Sequence, residues 1–554
     1  MNCNVIFCNN REKKSHFLIL GGLMEFDYVV VGAGSAGCAV ANRLSQCGNY
    51  RVALIEAGPA DSNPWIHVPV GYFRTMGNPK SDWRYETQPD KGIAGRSIPW
   101  PRGRVLGGSS SINGLLYVRG QPQDFDTWSQ LGCTGWSWDD VLPYFKRSEK
   151  WDGVDASGLR GKEGPLSVQS SRLNRDIVDH WVDAAVTAGY RRNYDYNGAD
   201  QEGVGHFQLT MKGGRRCSAA AAYLTPFKSR KNLKIITNAQ TKKVNIVNGR
   251  ASSVEIDTKS NIGTISAKKE IILSAGSIGS PQILMLSGIG SGEELQNLGI
   301  SVIRDLGGVG KNLQDHLQAR PIFKTDLSTI NTETSNYAKK ALIGLQYILT
   351  QRGPMTMAAS LGTGFLKTED HLETPDIQFH IQPFSADMPS KGPHKFSAFT
   401  ASVLQLRPES KGHLTLKSPN YLDHPDIHPN YLATATDCKT IVKGVQIARK
   451  IAEHEPLKKH VLEEYAPGSD VPLSDEEGTL DWVRRTAVTI YHPTGTCKMG
   501  TDEMSVVTPN LKVRGIEGLR VADASIMPSI TSGNTNAPAI MIGEKASDLI
   551  LKEA

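Results

Sequence analysis

The sequence predicts an α/β protein in which a Rossmann-like domain is interleaved with an α+β domain built on an antiparallel sheet. Three observations carry that reading. A β-branched run, Phe26-Asp27-Tyr28-Val29-Val30-Val31, feeds straight into Gly32-Ala33-Gly34-Ser35-Ala36-Gly37 and then a helical pattern through Ala39, Val40 and Leu44, the mark of a buried strand followed by an amphipathic helix. Strand, tight turn and helix recur from Ile271 to Gly290. From about 322 to 470 such turns are missing, and alternating stretches such as Asp376-Ile377-Gln378-Phe379-His380-Ile381 and His413-Leu414-Thr415-Leu416 read as half-exposed strands.

At 554 residues the chain exceeds one comfortable hydrophobic core, so two domains are expected. The first occupies 24–321, with part of the second's cap near 165–215. The second spans 322–470, and 471–554 returns to the first. Residues 1–23 read as an extension outside the fold. Arg11 to Lys14 and then Phe17 to Leu23 mimic a charged and an apolar region, but the apolar part is short and no small-residue cleavage pattern follows. The net charge of +6, from 62 basic and 56 acidic residues, comes without a basic block, so no nucleic-acid partner is expected. Eight cysteines are scattered without a CxxC pair, so no metal is expected and a reducing cytosol suits them. No apolar run nears the roughly 20 residues that span a bilayer. A cytoplasmic location is expected, with peripheral contact to a membrane left open.

The first glycine cluster has a chemical reading. Its glycines permit a tight turn, a close approach of backbone to a pyrophosphate and close helix–strand packing, while the helix N-terminus supplies amide donors. A second strand, Arg51 to Ile55, ends in Glu56, where a carboxylate can accept hydrogen bonds from a ribose diol. The fingerprint alone fits FAD or NAD. A further cluster, Gly103-Arg104-Val105-Leu106-Gly107-Gly108-Ser109-Ser110-Ser111-Ile112-Asn113, holds too many small residues for ordinary core packing. It lets backbone lie flat against a large planar ligand.

With these motifs in order, the chain resembles the glucose–methanol–choline (GMC) oxidoreductase family, whose two signatures match at 103–120 and 276–290. The resemblance runs from about Glu25 to the C-terminus and implies FAD as cofactor. Contacts to it are implied for Gly32, Gly34, Ser35, Ala36, Gly37, Glu56, Ala57, Arg104, Gly107, Gly108, Ser109, Asn113, Gly114 and Thr241. In the C-terminal part they are implied for Asp523, Ala524, Asn534, Thr535 and Asn536. Some relatives attach the flavin covalently through a His in the Gly-Gly-x-Ser-Ser motif. Ile112 stands there, so the FAD is expected to be non-covalent.

The chemistry implied is oxidation of a primary alcohol to the aldehyde, with hydride passing to flavin N5. Such a reaction needs a base for the hydroxyl proton, and histidine suits it. Tyr491-His492-Pro493-Thr494-Gly495 matches the family's catalytic segment, after a helical stretch from Trp482 to Ile490, and makes His492 the base. Asn534 matches the second catalytic position, while Asn536 sits where the cap of the last helix belongs. That helix, pointing at the flavin's N1–C2=O edge, would favour the anionic reduced form. Cys497 reads as packing. Trp83, Tyr85 and Phe73 are aromatic candidates for a pocket wall.

Departures from particular relatives narrow the substrate. Choline-oxidising relatives carry a Glu four residues before a Gly-Phe phenylalanine; counting back from Phe365 gives Leu361, which disfavours choline. Light-driven decarboxylases have a Cys before an Arg-Pro pair, where Leu406 stands. The overall pattern favours a dehydrogenase passing electrons to a quinone, a carrier or oxygen. An oxygen-using alcohol oxidase and a non-redox lyase of the hydroxynitrile type remain as alternatives.

Overall fold

The computed structural model describes residues 24–258, 262–334, 336–387 and 392–554; the expected extension at 1–23 lies outside them. Two sheets organise the fold. In the first, strand Met24–Val31 lies between Val52–Ile55 and Ile262–Leu273, all parallel. Leu233–Ile236 extends the sheet beyond Val52–Ile55, and Leu519–Val521 pairs with the end of Ile262–Leu273. Val29, Val30, Val52, Ala53 and Leu54 have no exposed surface, which is why these strands read as unbroken apolar runs. On its other edge the long strand Ile262–Leu273 serves two neighbours: its first half pairs antiparallel with Arg250–Asp257, its second half parallel with Leu519–Val521.

The first helix, Ser35–Gln46, packs directly on the last, Asn536–Lys552. A Cβ on Gly543 would lie 2.5 Å from the Ala36 carbonyl oxygen, so only glycine lets the two backbones approach this closely. Glu544, without solvent exposure, locks them together. Its carboxylate accepts from Arg43 Nε at 2.8 Å, Arg147 Nε at 2.7 Å and Tyr223 Oη at 2.7 Å.

The second sheet is antiparallel throughout, in the order Val461–Ala466, Ile322–Thr325, Ala398–Gln405, Ile377–Gln382, Gly362–Leu366, Gly203–His206. Its faces divide by residue parity. Ile377, Phe379, Ile381, Phe399, Ala401 and Val403 pack against helices Asp176–Thr187 and Ala435–Ala452, with Trp181 5.5 Å from Phe379 between ring centroids. Gln378, His380, Ser402 and Leu404 occupy the other face, which is buried as well, so Ile377–Gln382 is not half-exposed as expected: it is an inner strand covered on both sides. Two short strands join this sheet from outside the expected 322–470 boundaries: Leu317–Ala319 pairs with Ala398–Gln405 and with Val488–Thr489. Among the described residues no helix is long and apolar enough to cross a membrane.

Replacing Glu544 with Leu leaves the largely desolvated Arg43 guanidinium without a carboxylate partner, while Arg147 keeps Asp548 at 2.8 Å. The variant is expected to lose about 3 kcal/mol of stability, read as a lower denaturant midpoint with an unchanged slope.

Candidate active site

All the parallel strands stop at one level. Val31 lies opposite Ile55 and Leu273, Ile55 opposite Ile236, and Leu273 opposite Val521. The turns that follow therefore line one groove at the carboxyl edge, where open α/β sheets bind ligands. Gly32, Gly34, Ser35, Ala36, Glu56, Ala57, Gly108, Ser109, Thr241, Pro493, Asp523, Ala524 and Thr535 line it. Gly32 turns with a φ of 98°, and a Cβ there would sit 2.4 Å from the Ser274 carbonyl oxygen. Gly37 faces the same constraint more severely, since its Cβ would meet Gly32 O at 1.9 Å.

The groove holds unclaimed polar groups. Thr241 Oγ1 and Ser277 Oγ are buried in its wall without a hydrogen-bond partner among the described residues, as expected of hydroxyls that serve a polar ligand. Glu56 binds the amides of Ala33 at 3.0 Å and Gly58 at 2.8 Å, yet burial still pushes its pKa up to about 7. Asp523 accepts from Gly276 N at 2.9 Å and Ser280 Oγ at 2.6 Å, fixing the third glycine-rich turn. An FAD would find phosphate-binding amides at the start of Ser35–Gln46, a carboxylate at Glu56 and the two free hydroxyls in the same wall.

Other expected contact residues stand behind the wall. Gly107 N donates to Ala33 O at 2.8 Å, and Arg104 stacks on Trp83 at 4.9 Å. Asn113 Oδ1 accepts from Arg216 Nη1 at 2.7 Å, and Gly114 is pressed against Ala359. The last helix corrects one expectation. Its N-cap is Thr535, without a side-chain bond, and Asn536 is the first helical residue. The Asn536 carboxamide instead accepts from Ser35 Oγ at 2.7 Å, tying the last helix to the first. Of the aromatic candidates, Trp83 and Tyr85 line the groove while Phe73 is exposed. Cys497 is fully buried, which pushes its thiol well above the usual range.

His492 and Asn534 do come together, with Asn534 Nδ2 at 3.0 Å from His492 Nε2. The helix expected to reach Ile490 stops at Thr486, and the short strand Val488–Thr489 carries the chain onto the second sheet. Tyr491 then adopts a left-handed φ of 71°, a costly conformation for an aromatic residue. The His492 amide donates to Asp315 Oδ1 at 2.7 Å, which holds this turn in place.

A residue missed in the sequence fixes the tautomer of His492. His316 Nε2 lies 2.8 Å from the Leu406 carbonyl, which can only accept, so Nε2 carries the proton. Burial lowers the His316 pKa to about 4, so the ring is neutral and Nδ1 holds a lone pair. That lone pair faces His492 Nδ1 at 3.0 Å, so His492 is protonated at Nδ1 and bare at Nε2. Burial, reinforced by the nearby imidazoles of His316 and His380 and by Arg102, holds His492 well below the usual histidine range. Gln378 Nε2 faces Asn534 Oδ1 at 3.5 Å and completes the row. The only signal for His316 in the sequence is its place in a polar run, Asn312 to His316, just before an apolar strand.

Comparison with known proteins identifies the family. The GMC oxidoreductase family model matches residues 26–318, and its C-terminal partner matches 408–543. The chain belongs to the GMC oxidoreductase family. Over 531 residues it is 41% identical to an alcohol dehydrogenase [acceptor] of Pseudomonas putida, covering 95% of this chain and 96% of that one. It is 42% identical to the mitochondrial choline dehydrogenase of Homo sapiens, covering 95% and 90%. The crystal structure of pyridoxine 4-oxidase from Mesorbium loti superposes with a TM-score of 0.85 at 30% identity, covering 94% of this chain and 98% of that one. Membership makes the protein an FAD-dependent oxidoreductase that acts on CH–OH donors.

Two outcomes follow for this GMC oxidoreductase. Glu56→Ala removes the acceptor that shapes the first turn and is expected to weaken FAD retention roughly ten-fold, about 1.4 kcal/mol, read from flavin absorbance after gel filtration. His316, His380 and His492 all resist protonation in the fold. The unfolded chain takes up those protons as pH falls below about 6.5, so stability is lost there, and the melting temperature should drop between pH 7 and 5.

Proposed function

We propose that this enzyme oxidises an uncharged primary alcohol to the aldehyde, with His492 taking the hydroxyl proton and Asn534 holding the substrate oxygen. One observation carries the reading: the bare Nε2 of His492 faces the Asn534 amide at 3.0 Å. FAD, when bound along the groove, supplies the acceptor for the hydride from the α-carbon. An alcohol oxygen entering between the two side chains would accept from Asn534 Nδ2 and donate its proton to His492 Nε2. The His492 ring stays oriented because Nδ1–H donates to His316, which is anchored on the Leu406 carbonyl. The FAD is held without a covalent bond, a reading supported by Ile112, which packs in an apolar cluster with Ile66 and Val105.

Three features disfavour choline as the alcohol. Leu361 is buried in the apolar cluster under the second sheet, and Asp315 is committed to Thr489, Tyr431 and the His492 amide. Arg102, whose guanidinium donates to the Tyr491 carbonyl, adds positive potential beside His492, which opposes a trimethylammonium group. The reduced enzyme passes electrons to a quinone, a carrier or oxygen, and works in the cytoplasm.

Anaerobic mixing with a panel of primary alcohols should bleach the flavin. His492→Ala should slow bleaching by about 10²- to 10⁴-fold, and Asn534→Ala by about 10²-fold. A flavin that no alcohol reduces would favour the lyase alternative. The depressed basicity of His492 places the acid limb of kcat/KM below pH 6.5. In His316→Ala the ring loses its fixed tautomer, and the rate falls roughly ten-fold or more. Acid precipitation should leave all the FAD in the supernatant.

A further inference from the structure

We propose that the outer face of helix Tyr337–Thr350 docks on an anionic lipid bilayer. Of this helix only Tyr347 is buried, with its hydroxyl bonded to the Gly214 carbonyl at 3.1 Å. At 3.6 residues per turn, the stripe opposite Tyr347 consists of Ala338, Leu342, Leu345 and Leu349, flanked by Ala341 and Ile348. Leu342 is 66% exposed, Leu345 53%, and Ile348 and Leu349 73% each. A surface helix ordinarily turns its apolar stripe inward. Here that stripe faces out, as it does where an apolar medium meets it.

The surroundings indicate which medium. The helix carries Lys339 and Lys340 in its first turn, and Arg352 follows its end, while no Asp or Glu occurs between Glu333 and Glu369. Beyond the helix, the turn Pro354–Thr356 packs on the turn Pro69–Gly71. The short helices on either side of that second turn expose Trp65 (40%) and Phe73 (43%), with Arg74 5.7 Å above the Trp65 ring. No acidic residue lies between Asp61 and Asp82. Aliphatic side chains, aromatic anchors and cations without acids are what a helix lying in an anionic interface requires. With 14 residues it extends about 21 Å, short of the roughly 30 Å hydrocarbon core, so it lies along the surface. A second copy fits less well. Whether two such helices pair parallel or antiparallel, cations at both ends meet cations.

The test is sedimentation of the holoenzyme with large vesicles, of phosphatidylcholine alone or with about a third phosphatidylglycerol, at moderate salt. Pelleting is expected with the anionic vesicles. It should weaken at least ten-fold in Leu345→Glu/Leu349→Glu, and also in Lys339→Glu/Arg352→Glu, while flavin content and melting temperature stay unchanged. No pelleting with either composition overturns the proposal, as does equal pelleting of the variants. So does a wild-type dimer in sedimentation velocity that becomes a monomer in Leu345→Glu/Leu349→Glu, because the face would then be a contact between copies.

Discussion

The site rests on one constraint of a parallel sheet: strands drawn from distant parts of the chain must end in register. Parallel neighbours cannot be joined by a tight hairpin, so every return needs a long connection. Here the connections are a helix, a second domain, or both, and none disturbs the shared carboxyl edge. Gly32, Glu56, Ser274 and Asp523 lie up to 491 positions apart in the chain (523 − 32), yet they meet in one groove because Val31, Ile55, Leu273 and Val521 are aligned. The arrangement leaves a carboxylate in a buried place. Two backbone amides offset only part of the desolvation of Glu56, and a ligand offering further donors there would relieve the rest.

The proposed catalytic pair is held from two sides. Asn534 belongs to the loop before the last helix, which the Glu544 network and the Asn536–Ser35 bond fix to the first. His492 hangs from the edge of the second sheet, through Val488–Thr489 and the contact with His316. His492 is thus held from the second sheet and Asn534 from the paired first and last helices.

Where a feature depends on local chemistry, the sequence shows it. The strand–turn–helix at Phe26–Gly37, the carboxylate at the end of the second strand and the alternation in Asp376–Ile381 were legible, because propensity and spacing determine them; His492 and Asn534 were singled out only by the resemblance to the family's motifs, and the structure brings them together. The Asn536 cap was not, since the competing partner, Ser35, lies 501 residues away and only tertiary contact decides between a local and a distant bond. His316 was invisible for the same reason. An imidazole becomes a positioning group only when a partner ring and a bare carbonyl face it, and neither is near in sequence. The strands Leu317–Ala319 and Val488–Thr489 fall outside the expected boundaries because each is too short for its periodicity to register.

The choice of His316 as partner has a chemical consequence. A carboxylate on His492 Nδ1–H would fix the same tautomer and also raise the basicity of the ring, because it stabilises the imidazolium. A neutral imidazole fixes the tautomer without that effect. The nearest carboxylate, Asp315, spends its oxygens on the His492 backbone amide, Tyr431 and Thr489, so it orients the turn and leaves the ring alone. The base is consequently weak but almost always free at neutral pH. A weak free base is suited to a step in which the proton and the hydride depart from one carbon–oxygen unit, because the acceptor for the hydride can then drive the transfer. In the proposed reaction the histidine therefore contributes mainly its location and its bare Nε2, and the thermodynamic pull has to come from the cofactor's side of the groove.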